Sequence, residues 1–231
     1  MKLMLRWFRR LLLLLFGLAF LWFLWLLGWV LYWGQVNPGS TRFMDLRLAE
    51  MRQKDPQAQL RQQWVPYERI SIHLKRAVIA AEDAKFVDHE GFDWDGIQKA
   101  IEKNQKKGRY AAGGSTISQQ LAKNLLLSPK KTFWRKGNEV VITLMLEHLW
   151  SKRRIFEVYL NVIEWGNGVF GAEAAARHYY GISAAQLGPE QAARLASMAP
   201  NPRFYDRNRA SPGLLKKSAI ILKRMPAAEV P

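Results

Sequence analysis

The residues with the clearest chemical potential lie in a segment that begins at two glycines, Gly113 and Gly114. Ser115 follows them and has the side chain of a helix N-cap, which accepts a hydrogen bond from a free backbone N–H of the first turn. Gln119 and Lys123 follow at intervals of four, so a helix would place the three side chains along one face. Such a helix start suits a phosphate or pyrophosphate, although an ordinary capped helix after a glycine turn fits these residues equally well.

A pair of acids, Glu82 and Asp83, lies near the end of an otherwise apolar segment that has helical spacing. An acid near a helix C-terminus is unfavourable against the helix macrodipole. Burial there would make a carboxylate a usable proton acceptor near neutral pH. The alternative is a structural ion pair with one of three nearby basic side chains, Lys85, Arg76 or His89.

A third acid, Glu139, follows Arg135 by four residues, which is the usual spacing of an ion pair on a helix surface. Its neighbours at 140–142 are apolar, so the Glu139 side chain could instead face a cleft. Glu147 and Glu157 lie further along the chain, and a single sequence does not rank the three acids by burial.

Helical spacing and capping residues predict that a mainly α domain positions these side chains. Thr132 and Ser151 are the expected caps of two of its helices, and Asp93 or Asp95 of another. No stretch shows the alternation of a β-strand, so at most a small hairpin is expected near 64–70 or within 166–170. The predicted helices cover 44–51, 75–84, the stretch from Asp93 or Asp95 towards 107, the stretch after Ser115, 133–150, 152–163, 172–180, 189–198 and 212–224.

The segment 11–33 predicts a transmembrane helix, because it contains no charged residue and is dominated by Leu, Phe and Trp. It is long enough to cross a hydrocarbon core of about 30 Å. A cleavable signal peptide has a shorter apolar region, and the far end of this one carries the aromatic residues typical of a membrane interface, Trp29, Tyr32 and Trp33. We therefore expect an uncleaved anchor.

The basic residues before the anchor predict its orientation, because basic flanks remain in the cytoplasm. The remainder would then be exported, which in a bacterium means a periplasmic domain on the inner membrane, and the absence of cysteine fits export. The net charge of +16 favours anionic phospholipids and a phosphate-bearing substrate as partners, and not nucleic acid. The expected divisions are a cytoplasmic tail at 1–10, the span at 11–33, a membrane-proximal connector at 34–63 and the main domain at 64–231.

Five segments resemble the signature motifs of the peptidoglycan glycosyltransferases, glycosyltransferase family fifty-one, and they occur in the family's order. The first two are long and specific, the third is short, and the last two are looser. The length leaves no room for a transpeptidase domain, so we expect a monofunctional member of the family. The segments are 82–93, 113–124, 135–139, 152–161 and 194–202.

The resemblance implies a lysozyme-like α fold with a main lobe and a smaller membrane-touching jaw. It implies lipid II and the growing glycan strand as substrates, with undecaprenyl pyrophosphate as the leaving group. Glu82 would take the proton from the acceptor 4-hydroxyl, whose oxygen attacks C1 of the donor and inverts it to a β-1,4 bond. Glu139 would assist departure of the leaving group, with no cofactor firmly required and a divalent cation (Mg or Mn) left open.

The resemblance also assigns binding roles by motif. One departure is that Gly137 and Asn138 precede Glu139 where many members have a basic residue. The pyrophosphate would be held by Ser115, Gln119, Lys123, Lys131 and Arg135. The supporting residues would be Asp83, Phe86, His89, Gly114, Thr116, Gln120, Asn124, Glu157 and Asn161.

Two alternatives to a polymerase remain open on the sequence. A lysozyme-like hydrolase or lytic transglycosylase also uses carboxylates on an α scaffold, but it needs neither a cationic pyrophosphate site nor a retained anchor. A non-catalytic membrane scaffold would instead bind other wall-synthesis or division proteins. The basic, aromatic stretch 125–134 resembles a flap that rests on phospholipid, and its alternative is an ordinary loop between two helices.

Overall fold

A computed structural model describes residues 2–107, 114–130 and 132–231. The chain divides into two units, one ending at Asn37 and the other spanning Pro38–Pro231. The helices within the described residues are α1 (Lys2–Gln35), α2 (Arg42–Arg52), α3 (Ile72–Glu82), α4 (Trp94–Lys107), α5 (Ile117–Leu126), α6 (Phe133–Leu149), α7 (Lys152–Val162), α8 (Ala172–Tyr180), α9 (Pro189–Met198), α10 (Pro202–Arg207) and α11 (Pro212–Arg224). Three short strands are β1 (Arg61–Gln62), β2 (Glu164–Gly166) and β3 (Val169–Phe170).

The first unit is built on α1, whose segment Leu3–Gln35 is long and apolar enough to cross a membrane and has a mean hydropathy of 2.5 in its most apolar window. The helix extends beyond the predicted span because the arginines and leucines before residue 11 are themselves good helix formers. Its later turns carry a ladder of aromatic rings, in which the Trp22 and Trp25 centroids lie 4.8 Å apart and those of Trp29 and Trp33 also lie 4.8 Å apart.

The second unit confirms the mainly α fold class and is consistent with a lysozyme-like α-helical domain. The predicted caps Thr132 and Ser151 each accept a hydrogen bond from the first turn of their helix, at 3.2 and 3.1 Å. Asp93 accepts one from the Gly96 amide at 3.0 Å immediately before α4. The short helix α10 was not predicted, because Pro200 and Pro202 indicated a break. Proline is tolerated in the first turn of a helix, where its missing N–H would have had no partner.

The small sheet has the strand order β1-β3-β2. Strands β2 and β3 form the antiparallel hairpin expected within 166–170, and Gly168 turns the chain between them at a φ of +71°. Strand β1 pairs with β3 in parallel, a pairing that the sequence did not predict. The other region proposed for a hairpin contains the 3-10 turn Tyr67–Arg69.

The core of the second unit brings the end of α3 to the start of α5. Helix α3 packs against α9 and α11, and α5 packs against α6 and α7. Their shared interior is apolar and includes the fully buried side chains Leu74, Ile117, Leu121 and Phe156. Two segments that are distant in the sequence, 82–93 and 114–124, meet where the Asp83 carboxylate accepts a hydrogen bond from the Ile117 N–H.

Candidate active site

Asp83 joins the end of α3 to the start of α5. It is the C-cap residue of α3, and its buried carboxylate accepts a hydrogen bond from the Ile117 backbone N–H at 2.9 Å. The same carboxylate lies 2.9 Å from Nε2 of His89. An acid at the N-terminal turn of a helix is favourable, because it satisfies a free N–H and complements the helix dipole. Asp83 thus fixes where Glu82, its neighbour, lies relative to α5.

The N-cap of α5 is Thr116, so the expectation that Ser115 caps this helix was wrong. The Thr116 hydroxyl accepts from the Gln119 amide at 3.3 Å, and the Gln119 side chain accepts from the Thr116 amide at 3.0 Å. This reciprocal pair is a capping box, which needs Gln or Glu three residues after the cap. Thr116 has Gln119 at that position and Ser115 has Ser118, so the spacing could have identified the correct cap. The exposed Ser115 is left to face the cavity beside it.

Glu82 is half-buried and has one oxygen engaged. Its Oε2 accepts a hydrogen bond from the Gln120 side-chain Nε2 at 3.0 Å, and the side-chain Oε1 of Gln120 accepts one from the Tyr159 hydroxyl at 3.0 Å. Burial raises the pKa of Tyr159, which keeps this hydroxyl a donor. Among the described residues, Oε1 of Glu82 has no hydrogen-bond partner although it is buried. The unpartnered oxygen therefore has the capacity to accept a hydrogen bond from a bound molecule.

Glu139 on α6 is the predicted second carboxylate, and only 4% of its surface is exposed. Arg135 and Lys136 each form an ion pair with one of its oxygens, as the spacing of Arg135 predicted. Lys136 supplies positive charge next to the site even though Gly137 and Asn138 lack it. Glu147 is as deeply buried but pairs with Lys152 at 2.9 Å, whereas Glu157 is more exposed and pairs with Arg154 at 2.9 Å.

A cavity of about 780 Å³ lies between α5 and α6 and collects the charged residues of the site. Its polar lining includes Ser115, Lys123, Thr132, Arg135, Lys136 and Glu139. Burial lowers the pKa of Lys123, the negative charges of Glu139 and Glu82 oppose that shift, and the positive charges of Arg135 and Lys136 add to it. Both carboxylates therefore act on Lys123, which has no hydrogen-bond or ion-pair partner among the residues that the structure describes.

Gln119 does not share this cavity with Ser115 and Lys123, because its side chain is used in the capping box. It lines an adjacent, more apolar hollow of about 350 Å³, together with Gly114, Ser115, Phe92 and Trp94. A Cβ at Gly114 would lie 3.1 Å from the Ile97 Cα, so a larger residue here would require a small shift of the α4 backbone. Lys131, the remaining residue expected at the pyrophosphate, lies outside the described residues.

The other supporting residues have structural contacts. Phe86 is fully buried against Phe156, with ring centroids 5.5 Å apart. Asn124 donates to the Gln120 carbonyl at 2.8 Å within α5. Asn161 and Glu157 hold the segment before the 3-10 turn. The Asn161 side chain accepts from the Val65 amide at 2.9 Å and donates to its carbonyl at 3.0 Å, and Glu157 accepts from the Tyr67 amide at 3.2 Å.

The stretch 125–134 divides into a packed part and an exposed part. Leu125 and Leu127 are buried in the core, whereas the exposed fractions of Phe133 and Trp134 are 99% and 71%. The three leucines do not form one apolar surface with the two aromatic residues. The exposed pair at the start of α6 borders the charged cavity, to which Phe133 contributes.

Sequence reasoning did not single out Lys217, which lies within electrostatic range of Glu82. It lies half-buried on α11, where burial lowers its pKa and the charge of Glu82 opposes that shift. The signal available in the sequence was the spacing of Leu214 and Ile221, which places Lys217 on the inward face of α11.

The described residues do not fit a resident divalent cation at Glu139. Divalent cations such as Mg²⁺ are bound by carboxylates and other oxygen ligands, but both Glu139 oxygens are paired with Arg135 and Lys136. Within the described ranges no group of three or more His, Asp or Glu side chains could hold a metal ion.

A mainly α domain in which two carboxylates interact electrostatically with an unpaired, half-buried lysine is compatible with an enzyme that transfers a group from a phosphate-bearing donor. The family model described as Transglycosylase matches residues 48–226, and the chain belongs to that family. It is 78% identical over 231 residues to a biosynthetic peptidoglycan transglycosylase of Dechloromonas aromatica, with both chains covered completely. Proteins with the same description from Azoarcus sp. and Methylobacillus flagellatus are 63% identical with full coverage of both chains, and 65% identical over 97% of this chain and 98% of the relative.

Proposed function

We propose that this enzyme is a peptidoglycan glycosyltransferase that polymerises lipid II into β-1,4-linked glycan strands and releases undecaprenyl pyrophosphate. The observation that carries the proposal is that two interacting groups, the buried Oε1 of Glu82 and the ammonium group of Lys123, each lack a hydrogen-bond partner among the described residues. One is a proton acceptor and the other a cation for a departing diphosphate. Unpaired polar groups in a folded interior are costly, and a bound substrate would supply their partners.

In this reaction Glu82 acts as the general base. Its Oε1 takes the proton of the acceptor 4-hydroxyl as that oxygen forms a bond to C1 of the donor sugar. The C1–O bond to the pyrophosphate breaks, and the diphosphate leaves with the bonding electrons. Attack from the face opposite the leaving group converts the α linkage of the donor into a β linkage. The Gln120 amide, oriented by Tyr159, holds the other Glu82 oxygen during the transfer.

The negative charge that develops on the leaving group is met by cations that are already in place. Lys123, Arg135 and Lys136 line one cavity with the Ser115 hydroxyl, so little reorganisation is needed when the bond breaks. Glu139 assists departure indirectly, because its ion pairs hold Arg135 and Lys136 at the cavity. No step is assigned to a metal ion.

The membrane location follows from the donor, which is tied to lipid. Helix α1 would anchor the enzyme in the bacterial inner membrane by a span at 11–33, with the basic tail at 1–10 in the cytoplasm and the domain at 64–231 in the periplasm. The connector at 34–63 would keep the domain at the surface. The exposed Phe133 and Trp134 would contact phospholipid next to the cavity, since aromatic side chains favour the membrane interface. Other wall-synthesis or division proteins are further proposed partners.

The test compares purified wild-type enzyme with Glu82→Gln on labelled lipid II in detergent. We expect E82Q to lose on the order of a thousand-fold or more in kcat/KM, because the amide cannot accept the proton. It should unfold at the wild-type temperature, since the Gln side chain can still accept from Gln120. Glu90→Gln is the matched control, because Glu90 is an exposed acid eight residues away, and it should retain full activity.

Three results would contradict the proposal. Polymerisation of lipid II by E82Q at the wild-type rate would exclude Glu82 as the general base. Shortening of isolated glycan, with no polymer formed from lipid II, would indicate a lysozyme-like hydrolase. Normal wall synthesis in cells whose sole copy is E82Q would indicate a scaffold.

A further inference from the structure

A buried ion pair in the second unit has no role in the reaction described so far. Glu147 of α6 and Lys152 of α7 lie 2.9 Å apart, and only 5% of the Glu147 side chain is exposed. The Glu147 carboxylate also accepts a hydrogen bond from the hydroxyl of Ser118 on α5, a residue that is fully buried. The pair therefore joins α5, α6 and α7 through contacts to a single carboxylate.

The Lys152 ammonium group also holds the segment 83–91, which directly follows the proposed base. It donates a hydrogen bond to the His89 carbonyl and lies 4.7 Å from the centroid of the Phe86 ring, within the range of a cation–π contact. Nε2 of the same His89 lies 2.9 Å from the Asp83 carboxylate. The middle of this segment is therefore tied to the start of α7.

The two ends of the segment are fastened to α5. Asp83 accepts a hydrogen bond from the Ile117 N–H at 2.9 Å, and the Gly91 carbonyl accepts one from the Thr116 hydroxyl at 2.7 Å. Gly91 also lies against α6, because a Cβ at this residue would be 3.0 Å from the Glu147 Cγ. Helix α5 therefore sets the ends of the segment, and the ion pair sets how its middle lies against α6 and α7.

Stability alone is a weak reason for burying this ion pair. Removing two charges from water is costly, and a well-packed apolar pair of similar volume is often as stable or more stable. An apolar pair lacks direction, however, whereas charge-assisted hydrogen bonds hold their partners at defined distances and angles. Here the partners lie on the elements that carry the proposed reacting groups: Glu82 next to the segment, Lys123 on α5 and Glu139 on α6.

We propose that Glu147 and Lys152 are positioning residues that set where Glu82 lies relative to the cationic cavity. Neither residue lines that cavity, so they act through the segment 83–91 and α5. Because Glu82 directly precedes the segment, a shift of the segment would move its carboxylate. A misplacement of about 1 Å can lower a rate about 100-fold. This inference rests on the proposed function and adds the device that holds the base in place.

The experiment replaces the ion pair by apolar side chains of similar size in the double variant E147L/K152M. We expect its kcat on lipid II to fall about 100-fold, because Glu82 is displaced. The KM for lipid II should stay within about three-fold of wild type, because the cations of the cavity are unchanged. The melting temperature should stay within about 5 °C of wild type, since an apolar pair can replace a buried ion pair.

Further variants serve as controls. Lys152→Arg keeps a cation and a donor for the His89 carbonyl, and its kcat should stay within a few-fold of wild type. The buried pair of Arg47 and Glu164, 2.9 Å apart, is the matched control, and R47M/E164L should keep its kcat within two-fold. If E147L/K152M does not fold, E147Q/K152M decides the case. It keeps an acceptor for the Ser118 hydroxyl but no donor from position 152, so its kcat must still fall at least ten-fold.

A double-mutant cycle tests whether the ion pair acts through the base. Where Glu82→Gln has already removed the base, E147L/K152M should lower kcat/KM by less than two-fold further. A purely structural pair would give no loss of kcat in a folded variant and no coupling to Glu82.

The outcomes distinguish this inference from the proposed function. An unchanged kcat in folded E147L/K152M overturns the positioning role alone. A full further loss in the E82Q background also overturns it, as does a control R47M/E164L that is equally slow. Absence of any glycan synthesis from lipid II by the wild-type enzyme overturns the proposed function itself.

Discussion

Two regions of the second unit bury charged side chains, and they treat those charges differently. Around the hairpin β2–β3, the buried Arg47 of α2 contacts both carboxylate oxygens of Glu164 at 2.9 Å. Asp206 of α10 is held by Arg209 at 2.9 Å and by His178 at 3.1 Å. In this hairpin cluster, defined by these five residues, each charged group has a partner of opposite charge or a hydrogen bond.

The proposed active site lacks this internal pairing at the atoms to which we assign a role in the reaction. Oε1 of Glu82 has no hydrogen-bond partner in the described part of the chain, and Lys123 is likewise unpaired there. The hairpin cluster therefore uses its charges to hold strands and helices together, whereas the active site keeps charges available for a substrate. Such a site lowers the stability of the protein in return for activity.

The largest effect on stability should come from breaking the hairpin cluster. We expect Arg47→Met to lower the free energy of unfolding by about 3–5 kcal/mol, because it leaves the buried Glu164 without its counter-ion. Denaturant unfolding measures the loss. The kcat of the folded fraction on lipid II should stay within two-fold of wild type, because Arg47 does not line the cavity that holds Lys123.

The loss in R47M should also depend on pH in a defined direction. Burial raises the pKa of Glu164 above its ordinary value of 4.5, and Arg47 opposes that rise. Without Arg47, Glu164 binds a proton more readily in the folded state than in the unfolded state. Lowering the pH towards the raised pKa of Glu164 therefore recovers part of the lost stability. The deficit should be smaller at pH 5 than at pH 8. An equal deficit at both values would show that Glu164 is not the cause.

Lys123→Met should have the reverse pattern of stability and activity. We expect kcat/KM for lipid II to fall about 100-fold, equivalent to about 2.7 kcal/mol of transition-state stabilisation. The melting temperature should stay the same or rise, because a desolvated, unpaired charge is replaced by an apolar group of similar length. Lys103→Met, at an exposed position of α4, is the matched control and should change neither quantity. A K123M enzyme that melts earlier than wild type would contradict this reading of the site.

The pH dependence of wild-type stability checks the same idea. Burial lowers the pKa of Lys123 and of Lys217, so the unfolded state binds more protons between those lowered values and the ordinary value of 10.5. The free energy of unfolding attributable to these lysines therefore increases as the pH rises through that window. Part of this slope should disappear in K123M.

The features that could be predicted from the sequence are those that depend on residues close together in the chain. Helices such as α6 and α7 were predicted because their signals are local: apolar spacing and the caps Thr132 and Ser151. Strand β1 was missed because it is two residues long and exists only through its pairing with β3. In the site, the ion pair of Arg135 with Glu139 follows from their spacing.

The roles of the acids needed more than local spacing. The resemblance to known motifs singled out Glu82 and Glu139, but their surroundings depend on packing between distant segments. Lys217 lies 135 residues after Glu82 in the numbering, and no local pattern connects the two. Glu82 comes within electrostatic range of Lys217 only because α11 packs against α3.

The smallest expected effects separate two adjacent hydroxyls at the start of α5. Thr116→Ala should lower the free energy of unfolding by about 1–2 kcal/mol, because it removes the cap of the helix and the hydrogen bond to the Gly91 carbonyl at 2.7 Å. Ser115→Ala should leave that free energy within about 0.5 kcal/mol of wild type, since exposed substitutions away from caps and the core have small effects. It should instead raise the KM for lipid II several-fold, because Ser115 lines the cavity proposed to hold the pyrophosphate. If S115A were as destabilising as T116A and had a wild-type KM, Ser115 would be a structural residue with no role in binding the pyrophosphate.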